Sequence, residues 1–317
     1  MAVYILKRVG LMFVTLFFVV TITFFLMRSI PGDPVTSPSR ILPPNVQQAF
    51  LVRLGIVNPD TGERYPLYMQ YFKYLQNILK LDLGLSSKYQ NVDVSKKIVE
   101  TFPISVRVGG TALCIGTIIG TALGVVAALF KNKWPDYIVM VLAILGITVP
   151  VFVMAPLLQY FLSLRLKLLP TFGWGQLIHY VMPVTLLCFG PIATFARYMK
   201  SGMLDTLNQD YILTAQSKGV SGFNVIWKHA LRNSFLPSLA MLAAMVANVF
   251  MGAFIIERTF GIPGIGKYFI ASINEKDYSM TLGLTVFSCV IFIVVQLVVD
   301  IVYCFVDPRI KLAPDKN

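Results

Sequence analysis

Polar and apolar positions sort on a coarse scale along this chain. Long runs almost free of charge are separated by shorter stretches that hold the lysines and arginines. The runs cover about 9–27, 108–130, 137–163, 178–196, 235–256 and 280–305. About 20 apolar residues cross the hydrocarbon of a bilayer as a helix. Backbone amides cannot stay unpaired in lipid, so each run is predicted to be a membrane-spanning helix, six in all. Between the first two runs, "YPLYMQYFKYLQNILKLDLGLS" places Leu67, Tyr71, Leu75 and Ile78 at helical spacing. That spacing predicts an amphipathic helix, either a cap over the helix bundle or a docking face for an external partner.

Composition agrees with this picture. Of 317 residues, 56% are hydrophobic and 13% charged, against about 25% charged in soluble domains. The net charge of +12 does not point to nucleic acid, because the basic residues sit mainly at the ends of apolar runs, where they orient a membrane protein. Lys7 and Arg8 precede the first run, Lys131 and Lys133 follow the second, and Arg197, Lys200, Lys218, Lys228 and Arg232 join the fourth to the fifth. Arg309, Lys311 and Lys316 close the chain. With alternating spans all of these fall on one side, which predicts a plasma-membrane protein with both termini in the cytoplasm. The basic residues of about 28–107 do not oppose this, since long external loops escape the charge rule. The uncharged stretch Val9–Met27 is longer than a signal-peptide core and lacks a small-residue cleavage site, so it reads as an uncleaved helix.

The predicted organisation is an N-terminal transmembrane helix (1–30), an extracellular segment with amphipathic helices (31–103), a transmembrane domain (104–306) enclosing a cytoplasmic loop (199–234), and a tail (307–317). Cys114, Cys188, Cys289 and Cys304 all lie within apolar runs without disulfide or metal spacing. His179 and His229, at a membrane edge and in a loop, read as neither ligand nor proton relay. Asp300, in the last run close to its cytoplasmic end, is read as locally hydrogen-bonded or ion-paired. No residue is assigned to catalysis, cofactor or metal.

The connection "LNQDYILTAQSKGVSGFNVIWKHALRNSFLP", Leu207 to Pro237, is more specific. Asp210 can cap a short helix from Tyr211 to Lys218, and Gly219 can end it in the left-handed region. Ser221 can start a second helix that Pro237 limits. On that helix Phe223, Ile226, Trp227, Ala230 and Leu231 form an apolar stripe, while Lys228, Arg232 and Asn233 point elsewhere. Two uses fit such a stiff elbow: insertion in a partner's groove, or lying among lipid headgroups.

The same stretch resembles the signature loop of membrane subunits of ATP-binding-cassette importers, in the form found in dipeptide and oligopeptide permeases. The likeness rests on Tyr211, Thr214, Ala215, Lys218, Gly219, His229, Ala230, Leu231, Arg232, Asn233 and Pro237. The older consensus begins Glu-Ala-Ala; here Thr214-Ala215-Gln216 stands instead, a departure common in the peptide branch. "YILKRV", "PGDP", "FGIPGIGKY", "DYSMTLG" and "VDPRIKL" extend the likeness along nearly the whole chain. It implies the type I importer permease fold and a B-type permease subunit of a peptide importer; nickel, metal-chelate and glutathione importers share the branch. It further implies a homologous second permease, two cytoplasmic ATPase subunits that hold ATP and magnesium, an extracellular substrate-binding lipoprotein and a peptide substrate. The candidate coupling residues are Tyr211, Thr214, Ala215, Lys218, Gly219, Val220, Phe223, Trp227, His229, Leu231, Arg232 and Asn233.

Two glycine patterns complete the reading. "GIPGIGKY" is one residue from a phosphate-binding loop, with Gly261, Gly266 and Lys267 in place and Tyr268 where serine or threonine belongs. It follows the fifth run on the external side and no strand precedes it. Glu257, Gly261, Pro263, Gly264 and Gly266 are therefore read as an outer-mouth turn. Gly116, Gly120 and Gly124 recur every fourth residue in the second run and predict close helix packing. A stand-alone secondary carrier would call for mid-membrane polar groups or matched broken helices, and an enzyme for a cluster of reactive groups. The runs supply neither convincingly.

Overall fold

The computed structural model describes residues 2–29, 43–89 and 92–306. "PGDP", most of "VDPRIKL" and the tail 307–317 lie outside the described residues, as do the side chains of Asp300 and Cys304. In chain order the helices are α1 (Ala2–Ser29), α2 (Pro44–Arg53), α3 (Leu67–Leu79), α4 (Val94–Leu129), α5 (Trp134–Thr148) and α6 (Val151–Leu158). A π-helical stretch, Gln159–Arg165, extends α6. Next come α7 (Ile178–Leu207), α8 (Asp210–Ser217), the single turn α9 (Gly222–Asn224) and a second π stretch, Val225–Ala230. Then follow α10 (Leu231–Phe260), α11 (Ile265–Asn274) and α12 (Tyr278–Val306). Among the described residues no strand forms beyond two isolated bridges, Val57 with Arg64 and Leu85 with Asp93.

Among the described residues four helices are long and apolar enough to cross a membrane: Val9–Ser29 within α1, α4, α7 and Tyr278–Val299 within α12. The run expected as one span over 137–163 is instead α5 and α6 with its π extension, bent by 99°. Val149 at the break is extended, with φ −85° and ψ 117°. Pro150 accounts for this, because it cannot donate to the helix ladder and disfavours helical geometry in the residue before it. The run 235–256 lies inside the 30-residue α10. Helix α4 starts at Val94, so the boundary expected at 103/104 falls within a helix. Its early turns show why: Val94, Ile98, Thr101, Ser105 and Val108 are all buried at intervals of three or four, while Lys96, Lys97, Glu100 and Arg107 break the apolar run.

The chain divides into two compact units, 1–105 with 263–293, and 106–262 with 294–317. In the first, α3 packs on α1 through aromatic rings: Tyr74 stacks on Phe24 at 5.3 Å and Tyr71 on Phe25 at 5.6 Å. Buried Asp277 fastens the loop before α4 to the start of α12. Its carboxylate accepts hydrogen bonds from the Ser86 hydroxyl and from the backbone N–H groups of Ser87 (3.2 Å), Lys88 (3.3 Å) and Met280 (3.1 Å).

In the second unit α4, α5, α7 and α10 pack side by side. An added Cβ would lie 2.7 Å from the Pro191 side chain at Gly116, 2.6 Å from the Ile192 carbonyl at Gly120, and 2.6 Å from the Ala196 carbonyl at Gly124. All three glycines thus face α7 at backbone contact. Lys200 of α7 pairs with Asp136 of α5 at 2.5 Å, and Asp136 also accepts from the N–H of Asn132 at 3.1 Å. The turn between α4 and α5 is thereby tied to α7. At the other end of the unit, buried Gln159 donates to the carbonyls of Thr171 (2.9 Å) and Thr259 (3.1 Å).

Candidate coupling site

The loop after α7 is compact because its short helices terminate cleanly. Helix α8 is capped at Gln209, and Asp210 is its first residue. The expected Asp210 cap is thus one position off. Asp210 instead sets its charge in the first turn, where the helix dipole favours an anion. At the other end Lys218 is the cap and Gly219 adopts φ +76°. Gly219 N–H bonds to the Gln216 carbonyl (2.9 Å) and Val220 N–H to the Ala215 carbonyl (3.2 Å), a Schellman ending. Nothing lies within 4 Å of where a Cβ at Gly219 would be. Backbone conformation, not space, therefore demands glycine there.

Beyond Ser221 the chain is helical without interruption from Gly222 to Phe260, through α9, the π stretch and α10. Pro237 does not end the second helix as expected. A proline removes only its own donor, and such gaps are tolerated in membrane helices. The elbow's second arm therefore runs on into α10 as one continuous helix.

The apolar stripe expected on this arm divides in two. Ile226, Ala230 and Leu231 turn inward onto Met199 and Met203 of α7 and Ala128 of α4, with Val125, Leu204, Leu207 and Phe235 around them. Phe223 and Trp227 turn outward, 68% and 56% exposed, with ring centroids 5.9 Å apart. The wider turn of the π stretch helps spread the side chains over both faces. Tyr211 and Leu213 of α8 add to the exposed apolar surface.

Polar contacts lock the elbow from beneath. Asn233 donates through its amide to the Tyr211 hydroxyl at 2.8 Å, joining α8 to α10. Ser234, fully buried, donates to the Ala230 carbonyl (2.7 Å) and contacts the Thr206 hydroxyl (3.0 Å). Gly202 lets α7 approach here, since a Cβ would lie 2.8 Å from the Ser234 carbonyl. Of the other candidate residues, Ala215 is buried; Val220, His229 and Leu231 are half-buried; Thr214, Lys218, Arg232 and Asn233 are exposed. Thr214 returns its hydroxyl to the Asp210 carbonyl (3.0 Å). The sequence reading missed Leu213, Gly202 and Ser234, whose roles depend on which helix lies opposite.

The "GIPGIGKY" residues lie elsewhere. Gly261 ends α10 in the left-handed region, φ +71°, and the Ile262 N–H bonds to the carbonyl of buried Glu257 at 2.8 Å. Gly264 is extended, and Ile265, Gly266, Lys267 and Tyr268 already belong to α11. Ile265 N–H is taken by the Ser105 hydroxyl at 2.9 Å. The chain passes from helix to helix with no strand, unlike a phosphate loop.

Comparison with known proteins accords with this architecture. Residues 120–312 match the family model described as "Binding-protein-dependent transport system inner membrane component". The chain is 42% identical to the dipeptide transport system permease protein DppB of Bacillus subtilis, over 98% of this chain and 99% of that protein. It is 36% identical to the oligopeptide transport system permease protein OppB of Salmonella typhimurium, over 97% and 99% respectively. Among solved structures, the MetNI methionine ABC transporter in inward-facing conformation resembles it with a TM-score of 0.54 at 13% identity. That likeness covers 66% of this chain and 96% of the solved one, and concerns the fold.

Proposed function

The chain belongs to the family of binding-protein-dependent transport inner membrane components, as a permease subunit of an ATP-binding-cassette importer, and from there we propose how it works. It forms half of a translocation path for dipeptides or oligopeptides, beside a homologous second permease. Two ATPase subunits bind ATP and magnesium in the cytoplasm, one of them seated on the 199–234 elbow of this chain, and an external lipoprotein delivers the peptide. Both termini lie in the cytoplasm. The basic residues Lys131, Lys133, Lys200, Lys218, Lys228 and Arg232 favour that orientation. As a permease subunit the chain itself is not an enzyme.

The carrying observation is the division of the elbow into an exposed aromatic edge, Phe223 and Trp227, and a buried underside on α7 and α4. An apolar edge in water invites a groove on a partner. A push on that edge reaches Met199 and Met203 through packed side chains and enters the fifth span along a continuous helix. The bundle it acts on is the two-state element, open to one side or the other.

The test compares ATP hydrolysis with uptake of a labelled dipeptide in vesicles holding the full importer. Gly219→Pro forces φ near −65° where +76° is needed, and Arg232→Glu reverses an exposed charge of the elbow. Both variants are expected at normal levels in the membrane, with uptake per ATP hydrolysed reduced at least about tenfold, as a lost interface anchor would give. Normal transport by either would refute the assignment of the elbow.

A further inference from the structure

Helix α3 carries more apolar surface than α1 covers. Tyr71 and Tyr74 face α1, but Tyr68, Phe72 and Leu79 stand on the adjoining flank, and Phe72 and Leu79 are 60% and 85% exposed. Leu81, just past the helix, is exposed too. Lys73, Gln76 and Lys80 occupy the other edge, and Lys73 folds back over the Tyr65 ring at 3.7 Å.

The contacts with α1 fix where this helix lies. The uncharged stretch Val9–Met27 has 19 residues, about 28 Å of helix, close to the hydrocarbon thickness of about 30 Å. The Tyr71 hydroxyl meets that of Thr21 at 2.6 Å. Thr21 lies six residues before Met27, about 9 Å inside that stretch. Its own hydroxyl donates to the Phe17 carbonyl at 2.6 Å, so both polar groups are satisfied locally, as hydrocarbon demands. Nearer the N-terminus of α1, Phe13 and Phe17 are exposed, on the flank that higher up holds Phe24 against α3.

We infer that α3 is a membrane-embedded interfacial helix. It is sunk beside α1 into the leaflet at the C-terminal end of that span, with Tyr68, Phe72 and Leu79 among lipid acyl chains and Lys73 and Lys80 toward the headgroups. The occupant is lipid because the exposed flank continues the exposed face of α1, where Phe18, Ile22 and Leu26 already face outward. A wide apolar arc bordered by lysines is the pattern of helices lying in the interface plane. The segment thereby anchors the external part of the chain to the bilayer. The inference requires only that α1 spans the membrane, not that the elbow couples to an ATPase.

Depth-dependent quenching tests it on the full chain in nanodiscs, with the four cysteines replaced by serine and a fluorophore at Phe72→Cys, Tyr68→Cys or, as a water-exposed control, Glu63→Cys. Fluorophores at positions 68 and 72 are expected to be quenched by doxyl-labelled phospholipid. Iodide should quench them at least about threefold less than at position 63, the difference expected for burial in the acyl region. Strong iodide quenching at 72 that an added binding protein relieves would mark a protein-docking face and overturn the proposal. Protection from both quenchers would likewise overturn it, by placing protein rather than lipid on the flank.

Discussion

Replacing Gly120 by alanine sets a methyl carbon 2.6 Å from the Ile192 carbonyl and 2.9 Å from the Ile192 Cα. Both are backbone atoms and cannot rotate aside. Ordinary contact begins at 3.4 Å, so α4 and α7 must part by about 0.8 Å, and overpacking of this kind costs about 1–3 kcal/mol. Alanine at Gly116 or Gly124 makes nearly the same demand, with approaches of 2.7 Å and 2.6 Å. Because the three share one interface, the separation that admits the first methyl admits the others. The triple alanine variant is therefore expected to lose about as much stability as the worst single variant, well below three times that loss. Gly110→Ala and Gly190→Ala, with nothing within 4 Å, serve as neutral controls in the same pair of helices. Thermal unfolding of the full chain in detergent, followed by intrinsic fluorescence, reads all six variants. Additive losses along the row, or losses in the controls equal to those in the row, would refute the shared close approach.

Other contacts give predictions of the same kind. Lys200→Met is expected to destabilise more than Asp136→Asn, since it strands a carboxylate 4% exposed whereas the lysine is 23% exposed and can reach water. Losing one partner of a buried pair costs up to about 3–5 kcal/mol, and the double variant should recover part of the loss; equal single effects would contradict this. Asp277→Ala removes the acceptor for Ser86, Ser87, Lys88 and Met280 and should cost about 2 kcal/mol or more, as buried donors left unpaired do. Amide exchange at Ser87 and Lys88 should rise with it, and unchanged protection there would count against the fastening role.

What the sequence disclosed was whatever depends on near neighbours. Gly219 was legible because a helix ending needs a residue that tolerates positive φ, and the surrounding carbonyls are supplied locally. The glycine row was legible because its four-residue spacing puts it on one face of any helix. The start of α4 was not, since charged residues between buried positions hide the period from a count of apolar runs. The break at Val149 was written in Pro150, but averaging over 137–163 hides a single proline. The Asp136–Lys200 and Ser86–Asp277 contacts join residues far apart in the chain, and no local pattern announces such pairs. The division of the elbow stripe also escaped, because it depends on a π stretch and on which side α7 lies.

On the proposed docking role, these contacts together let the elbow act as a handle. Its underside meets the last turns of α4 and α7 and the first turns of α10 in one cluster. Higher up, the glycine row holds α4 to α7 at backbone contact, and the Asp136–Lys200 pair holds the α4–α5 turn to α7. A force on Phe223 and Trp227 is therefore shared by several helices that move as one body, where a loop fixed to one helix would bend it. Two classes of defect follow. Substitutions on the exposed edge, such as Trp227→Asp, should abolish coupling while the unfolding temperature of the chain stays where it was. Substitutions in the glycine row should lower that temperature and coupling together. If Trp227→Asp destabilised the chain as strongly as Gly120→Ala, the edge would be part of the packed bundle rather than a surface held out for a partner.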